Sequence, residues 1–234
     1  MWNLRVSKMK RSKRYKKCVE ILGGEKVKLS VEEAVKKLKM LGTTKFDQTV
    51  DIVFVLGIDP RKGEQTIRGA FSFPRGIGRQ MKVAVFAEGD AAEEARKAGA
   101  DEVGGVELVE KVKNGWTDFD VALATPDMMR HVGKLGKVLG PIKKMPSTKT
   151  GTVTTKIGEA VREFKGGRLE YRNDATGNVH MPVGKLSMPE EHLIENVNAV
   201  IEHIKAQKPA SVKGTYLKKV SLSATMSPSI ELVV

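Results

Sequence analysis

The chain has a single cysteine, Cys18, in 234 residues, which excludes an internal disulfide framework and any cysteine-rich metal site. Its four histidines, His131, His180, His192 and His203, are scattered. Only His192 and His203 fall on one predicted helix, eleven positions apart and too distant to share a ligand sphere. No metal and no cofactor is therefore expected. Aromatic residues are scarce, at 5%, which argues against a surface that stacks many unpaired bases. No apolar run approaches the length of a membrane span, so no membrane partner is expected. Met1 to Lys17 lacks a hydrophobic secretory core, so it does not read as a signal peptide, and a cytoplasmic location is expected.

Catalytic signatures are missing as well. Gly76-Ile77-Gly78 is no dinucleotide fingerprint, because it precedes a predicted strand and lacks the third glycine. Lys149-Thr150-Gly151 has no Ser-x-x-Lys nucleophile in the required context. Glu93, Glu94, Glu107 and Glu110 sit on predicted helix faces as solvated charge. With no Ser/His/Asp or Cys/His set to assemble, an enzyme is not expected.

What the chain does have is positive charge, a net of +13 at neutral pH, and that points to a polyanionic partner. Residues 77–166 carry 15 Lys+Arg against 13 Asp+Glu, so this stretch holds +2 of the total and the flanks hold +11. Eight of the flanking cations lie in residues 1–17: Arg5, Lys8, Lys10, Arg11, Lys13, Arg14, Lys16 and Lys17. Such a run reads as a solvated, mobile basic arm suited to phosphate.

The central stretch alternates strand and helix. Met81–Ala87 is a buried-type apolar strand, followed by an Ala/Glu-rich helix to Ala98 with Gly99 at its end. A short strand from Asp101 to Val103, a helix over Val106–Lys113 and a strand over Phe119–Ala124 follow, with Pro126 placed to open the next helix. This spacing predicts a small parallel sheet with helices on both faces. In the flanks, Ser30-Val31-Glu32-Glu33 and Ser187-Met188-Pro189-Glu190 read as capping boxes, each opening an amphipathic helix. Strand-like runs surround them: Val50–Leu56, Thr66–Phe73, Arg168–Arg172, Asn178–Val183 and Leu217–Thr225. In the last, Val220, Leu222 and Ala224 alternate with Lys219, Ser221, Ser223 and Thr225, which predicts one buried and one polar sheet face. Glycines at Gly76, Gly78, Gly166 and Gly167 bracket the central stretch. One domain is thus predicted inside another, with hinges near 74–78 and 165–168.

Two segments far apart in the chain share one chemistry. Lys45-Phe46-Asp47-Gln48-Thr49-Val50 and Ser223-Ala224-Thr225-Met226-Ser227-Pro228 each set hydroxyls or amides beside an apolar residue next to a predicted strand. Small polar groups that read hydroxyls, with a Phe or Met to pack on sugars, suit structured RNA. The bland reading makes Phe46 a core residue at a strand start and Met226 a gap filler.

These and other motifs give the chain a family resemblance. Leu56-Gly57-Ile58-Asp59-Pro60-Arg61-Lys62, Gln65-Thr66-Ile67-Arg68-Gly69, Ala122-Leu123-Ala124-Thr125-Pro126-Asp127, Val138-Leu139-Gly140-Pro141, Gly151-Thr152-Val153, Tyr171-Arg172-Asn173-Asp174 and Lys213-Gly214-Thr215-Tyr216-Leu217-Lys218 follow in order. Together with the two segments above, they resemble the bacterial large-subunit ribosomal protein L-one family over nearly all the chain after about residue 20. The resemblance implies a mixed α/β and α+β fold of two domains. One is a two-layer, sheet-plus-helices RNA-binding domain formed by both termini, residues 1–76 and 167–234; the other is an inserted Rossmann-like three-layer α/β domain, residues 77–166. It implies binding to large-subunit ribosomal RNA at the mobile stalk, help in releasing deacylated tRNA at the exit site, and repression of its own operon messenger. Off the ribosome a monomer is expected.

The resemblance places the family's RNA contact at Phe46, Thr225 and Met226. Lys45, Gln48, Thr49, Arg61, Lys62, Gln65, Arg68, Arg172, Lys185, Lys218 and Ser227 complete the candidate RNA-binding set. The chain departs from the family pattern in three places. Ser227 stands where the family has Gly, and Gln65-Thr66 replaces Gln-Asn. Ile142-Lys143-Lys144-Met145-Pro146-Ser147-Thr148 replaces Arg-Gly-Leu-Met-Pro-Asn-Pro. The rival readings are a basic RNA chaperone without site specificity and a nucleotide-using enzyme built on the central stretch.

Overall fold

The protein is described by a computed structural model that covers residues 11–24, 27–42 and 44–233. Alternating burial builds the larger of its sheets. Five strands lie in the order β1 (Lys28–Leu29), β10 (Ile230–Leu232), β9 (Leu217–Ala224), β2 (Thr49–Leu56) and β8 (Asn178–Lys185). In β2, Val50, Ile52, Phe54 and Leu56 are buried while Thr49, Asp51, Val53 and Val55 face outward. Opposite them Val220, Leu222 and Ala224 of β9 and Val179 and Met181 of β8 complete the buried face. Helices α2 (Val31–Met40) and α8 (Glu190–Ala206) cover it with Ala34, Val35, Leu38, Leu193, Val197, Val200 and Ile204. The other face has no helix packed on it among the described residues.

Within the central stretch, β4 (Val83–Phe86) pairs in parallel with β5 (Glu102–Gly104) and β6 (Val121–Ala124). Both faces are covered, as a parallel sheet requires. Ala84, Phe86, Ala122 and Ala124 meet α4 (Val106–Lys113), α5 (Met129–Val132) and α6 (Gly136–Leu139). Val83, Val85 and Leu123 meet α3 (Asp90–Lys97) and α7 (Ile157–Lys165). The expected combination of a two-layer and a three-layer α/β architecture is present.

Strands β3 (Arg68–Ser72) and β7 (Arg168–Arg172) form an antiparallel ribbon where the chain leaves the large sheet and returns to it. Gly76, Gly78 and Gly167 adopt positive φ, whereas Gly166 is helical. A Cβ on Gly167 would come within 2.8 Å of Gly76 Cα, so the two crossings touch and only glycine permits it. Asn196 of α8, fully buried, binds this corner: it accepts from Arg75 N–H at 3.2 Å and donates to the Gly76 and Val183 carbonyls at 2.9 Å each.

Several local expectations are corrected. The expected mobile arm over residues 1–17 is helix in its last part: Lys13–Leu22 forms α1, and residues 1–10, with Arg5, Lys8 and Lys10, lie outside the described residues. Ser12 caps it, Cys18 and Leu22 bury four residues apart against the large core, and Gly23 ends it at φ 86°. Ser187 does not cap α8, which starts at Glu190 without a side-chain cap. Its N–H and hydroxyl instead donate to Asp47, at 3.1 and 2.8 Å. Pro126 opens a turn, with Met129 N–H donating to its carbonyl, and helix begins only at Met129. Glycines at 133, 136 and 140 leave that segment in short pieces.

The altered loop after Gly140-Pro141 puts a lysine in a backbone conformation that suits glycine. Lys143, standing where the family has glycine, adopts φ 59°, the one positive-φ non-glycine among the described residues. Lys144 is not a free charge: its ammonium donates to the Thr117 and Phe119 carbonyls and lies 5.1 Å from the Phe119 ring centroid. A lysine in the left-handed region costs about 1 kcal/mol relative to glycine. Lys143→Gly is therefore expected to raise the unfolding free energy by up to about 1 kcal/mol, read as a higher urea midpoint with unchanged m value.

Candidate nucleic-acid interface

Antiparallel pairing of β2 with β9 sets Val50 opposite Ala224 and Asp51 opposite Ser223, so the two sequence segments meet at one end of the sheet. The junction is clasped. Thr49 N–H donates to Thr225 Oγ1 and Thr225 N–H to the Thr49 carbonyl, both at 3.1 Å. Met226 N–H donates to Gln48 Oε1 at 3.0 Å, and Leu186 N–H to the Gln48 carbonyl at 2.8 Å. Each such bond contributes about 1 kcal/mol net, against about 1.5–3 kcal/mol for burying each of Phe54, Ile52 or Leu222. The core thus decides the register, and the clasp trims the local geometry.

The clasp also holds an aromatic side chain out in solvent. Thr44 Oγ1 donates to the Phe46 carbonyl at 2.9 Å, and Asp47 is tied to Ser187 on the next side. Phe46 is 54% exposed and Met226 47% exposed. Phe46 is therefore no core residue. Both apolar side chains stand on a loop braced by hydrogen bonds.

A β-bulge completes this end. The β2–β8 register shifts between Val50 and Asp51, which brings Lys185 opposite Thr49. Lys185 Nζ then donates to Thr49 Oγ1 at 2.8 Å. One cation, two threonines, one Phe and one Met are so grouped on a small surface, with exposed Lys45 in the same loop.

Two candidates take different parts from those expected of them. Gln48 is 1% exposed and spends its carbonyl oxygen on Met226 N–H, so it positions the turn instead of lying open on the surface. Ser227 closes that turn: its N–H donates to the Ala224 carbonyl at 3.0 Å and its hydroxyl accepts from Ala224 N–H at 2.9 Å. The hydroxyl is held inside the turn, and no positive φ is needed there.

Arg61, Lys62, Gln65 and Lys218 do not join this group. Lys218 lies in β9 at the Leu56 end of β2 and the other three beyond that end, roughly 25 Å away for an eight-residue strand. Gly57 packs against Thr215 there, and Lys218 Cε would lie 3.3 Å from a Cβ on it. Gln65 is used inside its loop, accepting from Asp59 N–H at 2.8 Å and donating to the Ser211 carbonyl at 3.4 Å. Arg68 and Arg172 sit directly opposite one another in the β3–β7 ribbon. Like charges so placed are destabilising unless an anion answers them; Glu170 pairs Arg68 at 2.7 Å.

Asp51 escaped the sequence reading, although its alternation in β2 put it on the open face. Burial pushes its carboxyl above the usual range, against the pull of His180 and Lys185. It is an acceptor in an otherwise basic neighbourhood. Asp47 and Ser187 were likewise missed as a pair, because nothing local links positions 140 residues apart.

With this geometry in view, comparison with known proteins is direct. The sequence pattern of the Ribosomal protein L1p/L10e family matches residues 24–228. The large ribosomal subunit protein uL1 of Kosmotoga olearia is 48% identical over 223 residues, 95% of this chain and 96% of the relative. That of Thermus thermophilus is 47% identical over 224 residues, 95% and 97% of the two chains. That of Maridesulfovibrio salexigens is 48% identical over 223 residues, 95% and 94%.

The raised pKa of Asp51 has a definite sign in stability. A folded state that holds the proton more tightly than the unfolded chain loses stability as pH rises from the ordinary carboxylate pKa through the folded one. Asp51→Asn is expected to raise the melting temperature at neutral pH, with the gain shrinking as pH falls below the carboxylate range. A gain that grows toward acid would contradict the assignment.

Proposed function

The chain belongs to the Ribosomal protein L1p/L10e family, and we propose that it binds large-subunit ribosomal RNA at the mobile stalk through the clasped end of its five-stranded sheet. It is a structural protein of the large ribosomal subunit in the cytoplasm and not an enzyme. The observation that carries the RNA reading is the meeting of Phe46, Thr49, Lys185, Thr225 and Met226 on one surface from three separate parts of the chain. A threonine hydroxyl both gives and accepts hydrogen bonds, which suits a ribose 2′-OH. Phe46 and Met226 supply apolar contact to sugar, and Lys45 and Lys185 supply phosphate attraction.

The proposal extends to the domains. Residues 1–76 with 167–234 form the RNA-binding domain, and residues 77–166 form an inserted domain that swings on Gly76, Gly78, Gly166 and Gly167. Supporting this, the large core draws on both chain ends, while the central sheet has its own packing on each face. The inserted domain acts on deacylated tRNA as it leaves the exit site. Arg61, Lys62, Gln65, Arg68, Arg172 and Lys218 form a second, separate basic region that meets RNA through phosphate rather than through the clasp. The same surface binds a similar structure in the protein's own operon messenger, and off the ribosome the protein is a monomer.

A competition filter-binding titration tests the central claim. The stalk-base fragment of large-subunit ribosomal RNA is expected to outcompete a scrambled hairpin of equal length. Thr225→Val should weaken the preferred complex by roughly tenfold, the worth of one lost hydrogen bond, while leaving scrambled RNA unaffected. Equal competition by both RNAs would favour the rival reading, a basic protein held by charge alone.

A further inference from the structure

Beside Phe46 the surface opens into a groove of about 410 Å³, at the small end of the range of about 300–1,000 Å³ that ligand sites occupy. Phe46 and Leu186 give it apolar walls, Asp47 and Gln48 give it polar ones, and Lys39 adds a positive charge. Gln48 is the telling member. Its side chain is 1% exposed, and its Oε1 is taken by Met226 N–H. Its Nε2 has no hydrogen-bond partner among the described residues, and yet it is not sealed off. The one fully covered side-chain polar atom without a partner among those residues is Tyr216 Oη. A buried amide whose two N–H donors have no partner among the described residues is thus held by its own carbonyl in the lining of an open groove.

Resting on the RNA reading above, we propose that this groove receives one unstacked nucleobase of the bound RNA. A base is flat, has a π-face for Phe46 and carries acceptors on its edge for the Gln48 amide. The groove continues directly from the clasped surface, because Phe46 and Gln48 belong to both. The base that turns out of its stack brings its phosphate toward a chain segment rich in lysine, with Lys39 and Lys45 on either side of it in sequence. One nucleotide is so read by shape and by a fixed donor, while the rest of the RNA is held through sugar and phosphate. Asp47 lends a rigid edge, since both its oxygens are tied to Ser187.

The test uses the natural chain and the stalk-base RNA fragment, with each unpaired nucleotide replaced in turn by an abasic one. A single abasic position is expected to weaken binding by roughly tenfold, the scale of one lost base–aromatic stack. That loss should shrink to about twofold or less with Phe46→Ala and with Gln48→Glu, because the partner is already gone. Gln48→Glu keeps an acceptor for Met226 N–H and replaces the amide donor by a carboxylate, whose repulsion of RNA weakens intact and abasic fragments alike and so cancels in the comparison between them. If every abasic fragment binds the natural chain as well as the intact one while Thr225→Val still weakens binding, the groove holds no base and the RNA surface stands without it. An abasic loss of equal size in all backgrounds would place the base elsewhere and overturn the proposal. Failure of the intact fragment to outcompete a scrambled hairpin would remove the RNA reading and this inference together.

Discussion

Everything at the candidate site depends on one pairing, the antiparallel ladder between β2 and β9. It joins Thr49 to Thr225 across 176 positions of chain. Closing so long a loop is entropically unfavourable before any contact forms, and the hydrogen bonds of the clasp are too weak to offset that cost. Burial of Ile52, Phe54, Val220 and Leu222 on one face does so. Because side chains alternate, the same burial aims Thr49, Asp51 and Ser223 at the other face. Core and interface are two sides of one register.

The surface that results divides its work between shape and charge. At the clasped end the polar groups are few and mostly committed: Gln48 to Met226, Ser227 to its own turn, Asp47 to Ser187. Such prior commitment keeps Phe46 and Met226 exposed without letting them collapse onto the core, and in the proposed function this lowers the ordering cost of binding. Arg61, Lys62, Arg172 and Lys218, which have no ion pair among the described residues, lie elsewhere. In the proposed function long-range attraction is their part, since charge acts over distance and needs no fixed geometry. Asp51, held partly protonation-prone by burial, adds an acceptor where pure attraction to phosphate would want none.

Departures from the family's residues were absorbed in different ways. Ser227 fits without strain because the turn at this point takes ordinary φ and uses the hydroxyl as its own closing acceptor. Lys143 fits only with strain, at φ 59°. The difference lies in what each glycine position asks of the backbone, and residue type alone did not distinguish them. Ser187 teaches the same lesson from the opposite side. Its spacing to Glu190 satisfies a capping box, but Asp47 competes for both its donors and wins.

The sequence by itself determined the elements with local causes. The 3.6- and 2-residue periodicities located α2, α4, α8, β2, β7 and β9 to within a residue or two, and the Ser30 cap holds as read. It also determined the excess of positive charge and, through motifs in a fixed order, the family. Only the tertiary structure decided which candidates stand together. It set Phe46 outward and Gln48 inward, split Arg61 and Lys218 from Thr225, and moved Lys185 onto Thr49 through a bulge. The physical reason is that burial and hydrogen-bond partnership are properties of pairs. Here the deciding pairs lie more than a hundred residues apart, where no local pattern in the chain can register them.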